Sequence, residues 1–412
     1  MCGNDFLTKL TTSMRIIASI IALGWASTVW SQPLDSLQRE LARNNPELAA
    51  LEKLRLAGTL VADQVDDWPD TEFGAGLGLL PTETRLGPQR LKLSTTQMLP
   101  WPGLLDARRE QALSRAEVTR LKRADQQISL QQLLAEAYYQ LYEYRQTDGL
   151  LAQQIEILDQ LRGLLLERVA AGQGRTTGLL RLDLRRQQLE QQRAIVANRQ
   201  DIPLATIQQL LAASRPITTP DTLVVAMIAA TDSIAESFPG LQQLRQEQAA
   251  ARATIRLTER ESMPRIGVGL DYFFVGQREV ADLNNNGRDI ILPRVMVTVP
   301  LGGDRYAART AEQEMRIAAL DDQYTSRQLA LRQKRTQALT RYREALIQLD
   351  LYAQQRQLLR ATIDLEIRAL STGETKLEDI LELYQQDLEY QLQTLRAVVA
   401  THLAKAAYDA TR

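Results

Sequence analysis

The chain is one unit written twice, and a duplication of this length constrains the fold before any single residue does. Asn45-Pro46-Glu47-Leu48 and Phe238-Pro239-Gly240-Leu241 each open a helical segment. A glycine-alternating stretch follows in both halves, Phe73-Gly74-Ala75-Gly76-Leu77-Gly78 and then Ile266-Gly267-Val268-Gly269-Leu270. Met98-Leu99-Pro100-Trp101-Pro102-Gly103 is answered by Val297-Thr298-Val299-Pro300-Leu301-Gly302-Gly303. A very long helical stretch comes next, interrupted at Ala171-Gly172-Gln173-Gly174 and again at Ser371-Thr372-Gly373-Glu374. Just past these breaks stand Gly178-Leu179-Leu180-Arg181-Leu182 and Asp379-Ile380-Leu381-Glu382-Leu383. The landmarks keep one order and a nearly constant offset. They divide the chain into a first repeat, 32–215, and a second, 216–412, of one interwoven protomer. The linker at 214–232 holds Pro216 and Pro220 and reads as extended, with Leu223-Val224-Val225 offering a short strand.

Periodicity assigns the parts of each repeat. Phe73, Ala75, Leu77 and Leu79 alternate with glycine, as Leu91 and Leu93 alternate with Lys92 and Ser94. Ile266, Val268, Leu270, Tyr272 and Phe274 share a face, and so do Val295, Val297 and Val299. Period two with one apolar face is a strand pattern. Pro81, Gly87 and Pro88 mark the first turn, and Gly276 with Asn284-Asn285-Asn286-Gly287 the second. Leu151, Ile155, Leu158, Arg162, Leu165 and Val169 step instead by four and three. Leu381, Tyr384, Leu388, Gln391, Leu395, Val398 and His402 do the same, so both are heptad-like seams. The stretch 106–171 has no proline and at 1.5 Å per residue reaches ~100 Å. Helices of that length joined at Gly172 and at Gly373 form two antiparallel hairpins.

These strands must close on partners. An apolar outer face of period two reads as lipid-facing, and lipid-exposed β-structure leaves no edge unpaired. Four strands cannot close a barrel, for which about eight is the practical minimum. Three copies supply twelve. The expected fold is therefore mainly α with a small β part: a duplicated helix, β-hairpin and helical-hairpin unit, assembled as a trimeric twelve-stranded β-barrel with a long α-helical barrel.

Composition removes other classes. Basic and acidic residues number 49 and 50, interleaved, which gives no footprint for nucleic acid. The single cysteine is Cys2 and the single histidine His402, so zinc sites, disulfides and histidine-based catalysis are not expected. No catalytic triad, P-loop or cofactor motif is present, and the chain reads as not an enzyme. Lys9 and Arg15 precede an apolar run from Ile16 to Trp30, and Val29-Trp30-Ser31 makes a small-residue cleavage site, so residues 1–31 read as a leader. Either Met1 or Met14 begins it. The run is shorter than the ~20 residues a bilayer-spanning helix needs. Together these features point to the periplasm or outer membrane of a Gram-negative bacterium.

The duplicated order, Pro-Trp-Pro-Gly at 100–103, Pro-Leu-Gly-Gly at 300–303, and the Gly-x5-(Gly/Asp)-(Leu/Ile)-Leu-x-Leu signatures starting at Gly172 and Gly373 resemble the TolC-type outer-membrane efflux protein family over about residues 33–408. The resemblance implies a homotrimer whose barrel sits in outer-membrane lipid and whose helical barrel runs through the periplasm. It implies docking to an inner-membrane pump, the resistance-nodulation-division type among the candidates, through a periplasmic adaptor (membrane fusion) protein. The compact length and short linker are closer to the heavy-metal and cation efflux branch than to the drug-export type. The first tip departs from the pattern, with Gly178 where the second has Asp379.

Arg368, Gly373, Glu374, Glu378 and Asp379 gather at the second tip, and Gly172, Arg175 and Arg181 at the first. In a trimer each carboxylate becomes a ring of three, which attracts cations or holds a gate through salt bridges. The plainer alternative is a solvated helix end with acids at its N-terminus. Asp282-Leu283-Asn284-Asn285-Asn286-Gly287-Arg288-Asp289 resembles the opening of a calcium loop, but Pro293 stands where the bidentate acid belongs, and an exposed hairpin loop is favoured. His402 lies on a heptad position as a packing residue. The competing overall reading is a periplasmic coiled-coil adaptor, against which the duplicated β-hairpins argue.

Overall fold

A computed structural model describes residues 33–412 except 171–175, 230–235, 280–283, 285, 303 and 373–376. The leader and the breaks at Gly172 and Gly373 therefore lie outside the described residues. The elements run α1 (Leu34–Asn44), α2 (Pro46–Gln64), β1 (Glu72–Thr84), β2 (Gly87–Leu99), α3 (Leu104–Ala170), α4 (Thr176–Arg199) and α5 (Asp201–Leu211). They continue with α6 (Pro239–Glu261), β3 (Arg265–Val275), β4 (Ile290–Thr298), α7 (Asp304–Thr372) and α8 (Leu377–Asp409). Proline opens both α2 and α6, where a missing N–H costs nothing because the first turn has no intrahelical acceptor.

Two compact units divide the chain, and each draws on both halves of the sequence. One takes residues up to 45, 129–230 and 335–410; the other takes 46–128, 231–334 and 411–412.

The first unit is helical. Leu151, Leu158 and Leu161 of α3 pack with Leu182 and Leu189 of α4 and Leu388 of α8, all buried. The α3 seam predicted by periodicity supplies Leu151 and Leu158 to this core, with Ile155 and Leu165 packed against it, while Leu161 stands outside the predicted seam. Its one polar member, Arg162, turns outward to Asp183 at 2.8 Å. Arg186 reaches Asp159 and Arg193 reaches Asp148, each at 2.8 Å. As numbers fall along α3 they rise along α4, so the two helices run antiparallel. On α7 and α8, Arg356 pairs with Asp387 at 3.3 Å and Tyr352 lies against Tyr390, which repeats the arrangement. The more solvent-accessible pairs between α3 and α4 contribute about 0–1 kcal/mol each. A fully buried leucine contributes about 1.5–3 kcal/mol. The leucines therefore hold the hairpins together, and the ion pairs fix their register.

The linker forms no strand at 223–225. Side chains of three helices take its backbone groups instead. Tyr142 Oη of α3 accepts from Leu223 N at 3.1 Å, and Thr401 Oγ1 of α8 accepts from Ala226 N at 3.1 Å. Tyr342 Oη of α7 donates to Ala226 O at 2.9 Å. The extended conformation is as expected, but these partners leave no room for a β-ladder.

The second unit carries an antiparallel sheet in the order β1-β2-β3-β4. Its two hairpins meet through β2 and β3, while β1 and β4 are its edges. The register stacks Ala75, Leu93, Tyr272 and Ile291 on one face, beside Val268 and Val295. Phe73, Leu77 and Val295 are 82%, 78% and 72% exposed, so this apolar face has no cover among the described residues. Pro81 lies within β1 rather than in the turn, at the register shift between Leu77 and Thr82, where a missing donor breaks no ladder bond. Gly87 follows the turn with φ 133°, and a Cβ there would meet the Gly276 carbonyl oxygen at 1.8 Å. The two hairpins approach so closely at this point that only glycine fits.

Leu182→Ala is expected to cost about 2–5 kcal/mol, by lost burial and a residual cavity. Asp148→Ala is expected to cost less than about 1 kcal/mol. Thermal unfolding followed by helical circular dichroism should separate the two. Equal losses would show that the ion pairs, not the leucines, hold the hairpin.

Candidate functional site

The second tip begins at α8. Glu378 and Asp379 both lie in its first turn, where the unpaired N–H groups and the helix dipole favour carboxylates. Burial of Ile380 behind them turns both acids outward into solvent. From the first tip, Arg181 Nη1 donates to Glu378 Oε1 at 2.8 Å, across a sequence separation of 197 residues. Its neighbours Leu179 and Leu182 are buried, and this rotation of α4 presents Arg181 to α8. Arg181, Leu184, Arg185, Gln188, Glu378 and Leu381 line a groove between the two helices. Burial there lowers the Arg185 guanidinium pKa below its ordinary value. Arg368 is exposed near the end of α7. Of the residues singled out by sequence, Arg181 and Glu378 thus come together and Asp379 stands beside them. Gly172, Arg175, Gly373 and Glu374 lie outside the described residues.

A second constellation was missed by sequence reasoning. His402 of α8 is half-buried, with Nε2 2.7 Å from the Val224 carbonyl of the linker and Nδ1 3.1 Å from Tyr139 Oη of α3. A carbonyl only accepts, so Nε2 carries the proton and Nδ1 accepts from the tyrosine. The rings lie 4.7 Å apart. Burial is the first cause that lowers the histidine pKa, the Val224 hydrogen bond opposes it, and Lys405 lowers it further. Burial pushes Tyr139 up to about 12. The heptad position of His402 was legible in the sequence, but its bond to a linker 178 residues away was not.

In the asparagine-rich hairpin, Asp289 and Asn286 take donors from the hairpin itself. Asp289 accepts from Tyr272 Oη at 2.6 Å and from Val275 N at 3.0 Å, and Asn286 Oδ1 accepts from Arg278 N at 2.8 Å. Among the described residues no cluster of three His, Cys, Asp or Glu side chains is placed to hold a metal. Among them, too, no helix is long and apolar enough to cross a membrane, which says nothing of the sheet.

No family model and no curated protein matches the chain. Solved structures do. CusC, studied for the conformational changes that accompany folding and transmembrane channel formation, superposes with a TM-score of 0.75 at 14% identity, covering 94% of each chain. The outer-membrane protein VceC of Vibrio cholerae gives 0.71 at 14% identity over 94% of this chain and 99% of its own. The open state of the MtrE outer-membrane channel of Neisseria gonorrhoeae gives 0.72 at 15% identity over 92% and 88%. The fold is that of these solved outer-membrane channels. More narrowly, it is the TolC-type fold, with a small antiparallel sheet and long helices.

Acidification should loosen the linker. The folded His402 pKa lies below the 6.5 of the free side chain, so between that lowered value and 6.5 the released state binds more protons. The contact is therefore complete above 6.5 and weakens as pH falls through that window. Amide exchange at residues 223–226, corrected for intrinsic rate, should speed up between about pH 7 and about pH 5. His402→Gln should remove that dependence, and an unchanged dependence in the variant would assign it to another group.

Proposed function

We propose that the chain is one protomer of a homotrimeric outer-membrane channel, the outer component of a tripartite efflux system. In this reading it is a passive conduit. It exports small molecules or metal ions that an inner-membrane pump delivers with a periplasmic adaptor, out of a Gram-negative cell. Residues 1–31 act as its leader, and the repeats 32–215 and 216–412 build one interwoven protomer.

The observation that carries this reading is the open four-stranded sheet, apolar on one face and unpaired along β1 and β4. An uncovered apolar sheet in water would aggregate through such edges. In lipid the same sheet is stable once copies close it, and three copies reach a practical barrel size. The TolC-type fold adds support. A further apolar stripe on α7, where Ile347, Leu358 and Leu365 are 69%, 72% and 64% exposed, supports cover by a neighbouring copy.

The tip is proposed as the gate. Arg181 and Glu378 tie the two hairpin ends of one protomer, and three-fold symmetry repeats the tie around the mouth. One such exposed pair contributes at most about 1 kcal/mol, a factor of about five in an equilibrium. Three acting together would bias a closed state strongly while remaining easy for an adaptor to break.

In detergent the protein should have the mass of a trimer, and in planar bilayers it should give discrete conductance. A monomer by mass photometry, or recovery from the soluble periplasm, would refute the assembly. Arg181→Gln should raise open probability by up to about fivefold per pair. Asp379→Asn should shift the reversal potential away from the cation relative to wild type. Unchanged currents in both variants, with trimers intact, would leave the tip acids as a solvated helix end.

A further inference from the structure

The face of the sheet opposite the apolar one carries a charge cluster built across three strands. Asp271 of β3 is 3% exposed. Lys92 Nζ of β2 lies 3.3 Å from its Oδ2, and Arg294 Nη2 of β4 lies 3.7 Å from its Oδ1. Arg294 Nη2 also donates to Thr96 Oγ1 of β2 at 2.9 Å, so the guanidinium reaches across the whole width of β3. Gly269 makes that reach possible. It pairs with Arg294 in the ladder, and a Cβ there would stand 2.9 Å from the Thr95 carbonyl oxygen and 3.4 Å from both Arg294 Nη2 and Thr96 Oγ1. Lys92 is held from its other side by the Phe273 ring, 5.2 Å from Nζ to the centroid, at cation–π distance.

Two features separate this cluster from a simple structural ion pair. It holds two cations for one carboxylate, leaving one surplus positive charge per chain. In addition, Asp271 Oδ1 and Arg294 Nε are buried and take no hydrogen bond among the described residues. A pair kept only for stability usually satisfies such atoms, because an unpaired buried polar group costs more than a hydrogen bond returns.

We propose that Lys92, Asp271 and Arg294 form a selectivity element on the inner wall of the β-barrel, which favours small anions over cations in the conducted stream. The inference rests on the channel reading above. Charge on the lipid face of a barrel is strongly unfavourable, whereas charge on the lumen face tunes selectivity, so the charged face is the inner one. Three copies place a ring of surplus positive charge around the lumen, and rings of lysine and arginine draw anions. Gly76 pairs with Lys92 on this face, and a Cβ there would meet no described atom within 4 Å, so that side of the cluster is open to passing ions. The carboxylate fixes both cations at the wall by attraction, where long free side chains would otherwise sweep the lumen.

The test is the reversal potential of the full-length trimer in a planar bilayer under a potassium chloride gradient. The triple variant Lys92→Gln/Asp271→Asn/Arg294→Gln removes the surplus charge without leaving a buried charge unpaired. Its reversal potential is expected to shift toward potassium relative to wild type. Asp271→Asn alone is expected to shift it toward chloride. Lys92→Arg, which preserves the charge, is expected to leave it in place. Unchanged reversal potential in the triple variant, with conductance and trimer mass intact, would overturn this inference alone. Wild-type trimers with no conductance would overturn the channel reading and this inference with it. Should the triple variant fail to assemble, Asp271→Asn carries the decision: a shift toward chloride supports the element, and no shift overturns it.

Discussion

Backbone N–H and C=O groups must find partners wherever water is excluded, and that requirement governs both units of this chain. In the sheet it is met along β1–β2, β2–β3 and β3–β4 and left unmet along two outer edges. In the linker it is met by tyrosine, threonine and histidine side chains in place of a neighbouring strand. The two cases differ because of what lies alongside. A sheet edge presents a periodic row of donors and acceptors that another strand fits, whereas the linker lies against helices whose backbones are already saturated. Only helix side chains are left to serve it.

The helical unit solves a different problem. Helices as long as α3 and α7, of 67 and 69 residues, gain little from intrinsic propensity and need a continuous apolar seam to hold one another. Leu151, Leu158 and Leu161 provide it for α3, and pack on both the returning α4 and the second repeat's α8. One leucine row therefore joins the two repeats as well as one hairpin. The ion pairs to Asp148, Asp159 and Asp183 lie at the solvent edge of this seam, where they discriminate between registers at little energetic gain.

Charge is placed sparingly and with a purpose that differs between units. At the tip, Arg181 and Glu378 are exposed and weakly coupled, suited to a contact that opens and closes. On the sheet, Asp271 is buried between two cations. A reversible gate and a fixed selectivity element call for these opposite degrees of burial, which is a physical reason to assign the two clusters separate roles in the proposed channel.

The order of the described elements, the strand faces and most of the leucine seams were legible in the sequence. Each is a local periodicity, two for strands and near three and a half for the seams, and needs no knowledge of distant residues. Pro81 was misread as a turn residue because a bulge in a strand and a turn share the same chemistry. The register shift that distinguishes them is set by the partner strand. The acids of the second tip were visible as a group, but only the packing of α4 on α8 decided that Arg181 would be the cation to meet Glu378. The Lys92–Asp271–Arg294 cluster and the His402–Val224 bond left no trace in local pattern. Their members come from separate strands, or from a helix and a linker far apart in the chain, and strand register and helix rotation bring them together. Period and composition are properties of neighbouring residues, and the sequence by itself determined what depends on them. Which charged and polar groups meet is a property of register between distant segments, and only the tertiary structure decided it.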